Sequence, residues 1–171
     1  MGYQQSSNVD VTAAWVFTID YQNLLTVLIA GALGAILGLE REIASKPAGI
    51  RTHILVASGS ALMMILGQDI ISEFRQESSP PELRSDPIRV LQAIVVGISF
   101  LGAGTIVHDR KEGVEGLTTA ATIYVTAGIG VAAAVDRVYF AFLVTAVVVM
   151  VLTAVGFVER SVHRWQQNRR R

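Results

Sequence analysis

The sequence predicts an all-α integral membrane protein, a bundle of five transmembrane helices. Three observations carry that expectation. Hydrophobic residues make up 51% of the 171 positions and charged residues only 16%, against about 25% in soluble domains. The mean hydropathy is +0.48. The apolar residues fall in five long blocks free of Asp, Glu, Lys and Arg. Such a chain is too apolar to stay disordered, and so small a soluble core could not cover five helices that are apolar all round. The 14 Lys and Arg balance the 14 Asp and Glu, so bulk charge points to no nucleic acid. Without cysteine, disulfides and thiolate sites are excluded.

The blocks place the spans at about 21–39, 53–71, 90–108, 116–135 and 138–158, a transmembrane domain over 21–158. Each is close to the ~20 residues that a helix needs to cross ~30 Å of hydrocarbon. Only helices satisfy their own backbone there. The second block is short of charge-free residues and reaches Ile71 only by including Asp69 at the headgroups. Asp86-Pro87 reads as a helix start with proline in the first turn. Residues 1–20 form an extracytoplasmic segment that lacks the basic start of a signal peptide. Trp15, Phe17 and Tyr21 are expected as interfacial anchors there, Trp165 at the other interface, and a surface helix is expected near 9–19. Residues 159–171 form a basic tail.

Lys and Arg set the orientation. Ten of the 14 fall in the loops 40–52 and 109–115 and in the tail, and four on the other side. The N-terminus is therefore expected outside and the C-terminus in the cytoplasm.

A weak tandem repeat relates spans one and two to spans three and four. Leu33-Gly34-Ala35 matches Leu101-Gly102-Ala103, and Gly49-Ile50-Arg51-Thr52 matches Gly116-Leu117-Thr118-Thr119. Both matches run in the same direction, as in a parallel repeat. Gly31, Gly34, Gly38, Gly97, Gly102, Gly104, Gly116 and Gly128 are expected at helix contacts, since missing side chains let backbones approach in lipid. The hydroxyls at membrane depth, Ser58, Ser99, Thr122 and Thr126 among them, are expected to bond across helices.

No ionisable group lies mid-span, which argues against a self-contained proton or cation carrier. No catalytic constellation assembles, so no enzyme and no cofactor is expected. The informative residues gather where the first span ends and the second begins, opposite the third–fourth loop. Glu40, Arg41, Arg51, Thr52, His53, Asp109, Thr118 and Thr119 are expected to line a polar inner vestibule, with acid and base paired across helix ends, Glu40 with Arg51 for example. If a metal binds, Glu40 and Asp109 are its ligands; magnesium keeps most of its waters and needs few carboxylates.

Three stretches carry a resemblance: Gly38 to Leu62 (GLEREIASKPAGIRTHILVASGSAL), Asp86 to Val107 (DPIRVLQAIVVGISFLGAGTIV) and Gly113 to Ala132 (GVEGLTTAATIYVTAGIGVA). In this order they are similar to the MgtC/SapB family of bacterial inner-membrane proteins. The resemblance implies five helices with the N-terminus in the periplasm. It also implies a link to low-magnesium adaptation, acid tolerance and virulence, and for some members restraint of ATP synthase. Many members carry a soluble C-terminal domain; here 13 residues follow the last span, so the resemblance is to a short form. Ala93 and Val96 stand where the family carries polar residues, and Tyr124 where tryptophan is common.

The function expected is therefore that of a non-enzymatic inner-membrane protein that modulates magnesium, ion or energy homeostasis. It would act through contacts with lipids, with a second copy as a dimer, or with a membrane protein such as ATP synthase or a cation transporter. One alternative is a transporter or channel for magnesium or another cation. Another is a structural assembly subunit of a membrane complex.

Overall fold

The computed structural model describes residues 21–76, 87–109 and 113–169. Five helices make up nearly all of it. They are α1 (Tyr21–Ile43), α2 (Ile50–Gln76), α3 (Pro87–Gly104), α4 (Leu117–Ala134) and α5 (Val138–Arg169). Between α3 and α4 lies a two-stranded antiparallel hairpin, β1 (Val107–Asp109) with β2 (Gly113–Glu115), in which His108 faces Val114. The segment expected as a surface helix near 9–19 lies outside the described residues, as do the side chains of Asp109 and Trp165.

Helices α1, α2, α4 and the 138–158 part of α5 are long and apolar enough to cross a membrane. Helix α3 is shorter, its apolar part running over Pro87–Ala103, and 17 residues at 1.5 Å each reach about 26 Å. It starts at Pro87, where a missing N–H costs nothing. It stops at Gly104, short of His108, because the chain turns there into the hairpin, with Thr105 donating its N–H and its hydroxyl to the Gly102 carbonyl. Helix α1 runs past Leu39 to Ile43, and α5 carries straight on through the basic residues to Arg169.

The packing is that of a protein dissolved in lipid. Alanine fills much of the core, with Ala30, Ala57, Ala61 and Ala133 in one cluster. Leu33, Leu37, Ile129 and Ala141 hold α5 against α1 and α4. Large apolar side chains point outward instead: Leu28, Ile36, Phe100, Phe140, Met150 and Val155 are all exposed. An apolar exterior this extensive marks a membrane-embedded surface, and small residues inside supply the close contact that a hydrophobic drive cannot supply in hydrocarbon.

The glycines set the distances. A Cβ on Gly34 would lie 2.4 Å from the His53 carbonyl oxygen, on Gly38 2.5 Å from Ile50 Cα, and on Gly31 2.7 Å from Ser58 Oγ. Helices α1 and α2 thus run antiparallel in backbone contact. Gly130 brings α4 equally close to α2, at the Ala57 carbonyl. Gly116 has φ of 85° and leaves no room for a Cβ beside the Thr105 carbonyl, so only glycine suits the turn into α4. In the repeat, Gly102 is the counterpart of Gly34, and its nearest neighbour is Ala120, the counterpart of His53, at an ordinary 3.7 Å. The two halves share a contact and differ in its tightness. Gly97, Gly104 and Gly128 correct the expectation of packing, for a Cβ there would meet nothing within 4 Å among the described residues.

The hydroxyls correct a second expectation. Thr122 donates to the Thr119 carbonyl at 2.9 Å, Thr126 to Thr122 at 2.7 Å and Ser99 to Val95 at 2.7 Å, each within its own helix. A hydroxyl satisfied by the preceding turn has no need of a neighbouring helix. Ser58 does reach across, donating to the Val27 carbonyl at 3.3 Å.

Candidate functional site: a buried arginine–histidine junction

The site forms where α1 ends and α2 begins. The connection is short, and it is closed by backbone bonds from Ala44, Ser45 and Lys46 back to the carbonyls of Glu40, Glu42 and Arg41. Ser45 takes a left-handed conformation, φ 54°, to make the reversal. Glu42 then caps the next helix, its Oε2 accepting the Ile50 N–H at 3.0 Å. This satisfies one of the free amides that every helix start leaves, and a carboxylate suits the positive end of the helix dipole. Gly49 makes room for it, since a Cβ there would lie 2.6 Å from that same oxygen and push the carboxylate aside.

Two ionisable side chains are sealed beneath this turn. His53 is 0% exposed and Arg41 3%. His53 sits one turn into α2, with Nδ1 2.9 Å from the Gly49 carbonyl oxygen. A carbonyl only accepts, so Nδ1 carries the proton and Nε2 of the neutral ring presents a lone pair. Arg41 is gripped by its neighbour: Nε donates to Glu40 Oε2 at 2.5 Å and Nη2 to Oε1 at 2.8 Å. Such two-point pairing is the strongest form of the arginine–carboxylate bond.

What remains is a matched pair of loose ends. Arg41 Nη1 and His53 Nε2 are buried and have no hydrogen-bond partner among the described residues. One is a donor and the other an acceptor. Buried polar groups are nearly always satisfied, so each of these atoms is suited to a small hydrogen-bonding ligand, water being the simplest.

The eight residues expected in one vestibule are distributed differently. Glu40, Arg41 and His53 come together in the junction. Arg51, on the outside of the same turn, is exposed, and with Thr52 it lines a groove between α2 and α3. Glu40 therefore pairs with Arg41 and not with Arg51. Thr119 is buried on α4 and Thr118 is exposed. Asp109 belongs to the hairpin by its backbone. Among the described residues no group of three His, Asp or Glu could hold a metal ion. Sequence reasoning did not single out Glu42 as a helix cap, nor Gly67 as a close contact. The cap was legible in a carboxylate shortly before a Pro-Ala-Gly turn, but the glycine contacts depend on helix crossings that no local pattern records.

Residues 27–161 match the MgtC family. A protein of Haemophilus influenzae is 38% identical over 144 residues, covering 84% of this chain and 60% of that protein. YhiD of Escherichia coli, whose name proposes a magnesium transporter, is 45% identical over 104 residues, 61% of this chain and 46% of YhiD. The protein MgtC of Salmonella typhimurium is 41% identical over 108 residues, 63% of this chain and 41% of MgtC. The matches thus span about half the length of these relatives. No solved structure matches. The lipid-facing exterior, the glycine-set helix pair and the match over 27–161 lead to one conclusion: the chain is a membrane protein that belongs to the MgtC family.

Proposed function

We propose that this chain is a non-enzymatic protein of the bacterial inner membrane that modulates magnesium or energy homeostasis by binding a membrane partner. In this reading the N-terminus is outside, and the junction of Glu40, Arg41 and His53 faces the cytoplasm. The excess of Lys and Arg on that side supports the orientation. The name of YhiD supports the link to magnesium.

The observation that carries the reading is the state of Glu40. Both of its oxygens are taken by Arg41, a permanent cation. A magnesium ion would have to displace that guanidinium and then sit beside it, against their mutual repulsion. Glu40 is thus committed to its own helix end, which is tied to α2 by the Glu42 bond to the Ile50 N–H and the close approach at Gly38, and a fixed helix pair suits a protein that acts by the shape it presents to others. A homodimer is the simplest assembly, for Gly104 and Gly128 leave open places where a second backbone could approach.

The competing reading, a magnesium carrier or channel, is favoured by the name of YhiD. Liposomes holding this protein alone and a magnesium-sensitive dye separate the two. The expected result is no flux above empty liposomes. Flux that Glu40→Gln abolishes would overturn the proposal. Purification from native membranes in mild detergent then tests the partner: a membrane protein is expected to remain bound to the wild type and to be lost on Arg41→Met.

A further inference from the structure

Helices α2 and α3 touch at one end and part towards the other. At the touching end a Cβ on Gly67 would lie 2.6 Å from the Val90 side chain. Further along, Gly59 on α2 and Gly97 on α3 have nothing within 4 Å. Between them lies a groove of about 940 Å³. Its walls are apolar, with Val56, Met63, Ile94 and Leu101 among them. It opens sideways, since Leu55 is 71% exposed and Met63 54%, and the surroundings there are the hydrocarbon of the membrane. At the open end stands Arg51, exposed and without an ion-pair partner among the described residues, with the Thr52 hydroxyl beside it.

We infer that this groove is a binding site for one anionic phospholipid, its acyl chain along Gly59 and Gly97 and its phosphate on Arg51 and Thr52. The chemistry fits at both ends. From Arg51 to Met63 the wall extends about 18 Å at 1.5 Å per residue, which accommodates most of a bilayer leaflet's acyl length. Guanidinium and phosphate form two-point, charge-assisted bonds, and basic pockets between transmembrane helices select anionic headgroups. The two glycines supply the depth: any side chain at either position would project into the chain's path. The site uses the side of α2 away from the Arg41–His53 junction and stands independently of the partner proposed above.

The test is native mass spectrometry of the full chain in mild detergent, titrated with phosphatidylglycerol or phosphatidylcholine. The wild type is expected to hold one lipid and to prefer phosphatidylglycerol. Arg51→Gln is expected to lower that preference about fivefold, the effect of one cation near a headgroup, and Arg51→Lys to retain most of it. Gly97→Leu is expected to fill the groove and weaken both lipids alike. Arg51 is exposed, so its variants test the site even if Gly97→Leu fails to fold. An unchanged preference in Arg51→Gln overturns the proposal whatever Gly97→Leu does. So does loss of preference on Arg89→Gln alone, which would put the headgroup at the opposite end. So does efficient disulfide crosslinking of two copies through Gly59→Cys and Gly97→Cys, which would make the occupant a second protein chain.

Discussion

Replacing Gly34 by alanine tests whether the absence of one side chain sets the distance between α1 and α2. The added Cβ would lie 2.4 Å from the His53 carbonyl oxygen and 2.9 Å from its carbon. Carbon and oxygen settle comfortably at about 3.5 Å, so the helices must separate by about 1 Å. The obstacle is backbone and cannot rotate aside. Overpacking costs about 1–3 kcal/mol, and a rigid obstacle places this case in the upper half. Alanine returns about 1 kcal/mol of helix propensity. The net loss is then about 1–2 kcal/mol, or roughly 2–8 °C in midpoint for a chain of this size. Gly97→Ala is the matched control, because a Cβ there meets nothing within 4 Å. It should gain about 1 kcal/mol from propensity alone. Thermal unfolding of both variants in the same detergent, followed by circular dichroism, should therefore separate them by about 4 °C or more. Midpoints that agree within about a degree would refute the reasoning, because the contact distances would then have no bearing on stability.

Three further outcomes follow from the same geometry. Arg41→Met should destabilise by about 3–5 kcal/mol by leaving Glu40 half-buried without its cation, and adding Glu40→Gln should recover most of that loss; denaturation of the single and double variants checks the pair. Glu42→Ala should cost about 1 kcal/mol through the lost cap on Ile50, read as faster hydrogen exchange in the first turn of α2. Gly116→Ala should disrupt the turn between hairpin and α4, since both its φ of 85° and the Thr105 carbonyl exclude a Cβ, and its yield of folded protein should fall well below that of Gly102→Ala, whose nearest neighbours lie at 3.7 Å.

The helices were legible in the sequence because membrane spans announce themselves by what they lack. A block free of charge has few alternatives in a chain this short, and Pro87 marked a start that the structure repeats. The hairpin was not legible. Val107 to Glu115 mixes apolar and charged residues over too few positions for any period to emerge, and its pairing follows from the two helix ends that it joins. The site was half legible. Glu40, Arg41 and His53 were picked out by position at span ends, but that Arg41 turns inward and Arg51 outward is a matter of helix phase. Arg41 follows Leu37 and Gly38 onto the face packed against α2, whereas Arg51 lies on the opposite side of the turn from His53's buried contact. Pairing Glu40 with Arg51 treated the two arginines as equivalent, and the tight approach at Gly38 makes them different.

That approach also explains why the ionisable groups sit where they do. A buried guanidinium is a poor contribution to stability in itself, since desolvation offsets most of the attraction to its carboxylate. Its use is in restricting geometry. Arg41 is held at two points by Glu40, His53 is held through Nδ1 by the Gly49 carbonyl, and that carbonyl lies against Gly38. The first pair lies within α1 and the second within the start of α2, so what keeps the end of α1 from rotating is the Glu42 bond to the Ile50 N–H and the backbone approach at Gly38. The two free atoms, Arg41 Nη1 and His53 Nε2, are thereby left at fixed positions. A donor or an acceptor held out of water takes a small hydrogen-bonding molecule with little ordering still to be done. They also reject a bare cation, because one of the two is already positive. His53→Leu should lose the bond to the Gly49 carbonyl at a cost of about 1 kcal/mol, whereas His53→Asn keeps a short side chain with an N–H to offer it. Equal stability of the asparagine and leucine variants would mean that the imidazole is there for its bulk and not for its hydrogen bond.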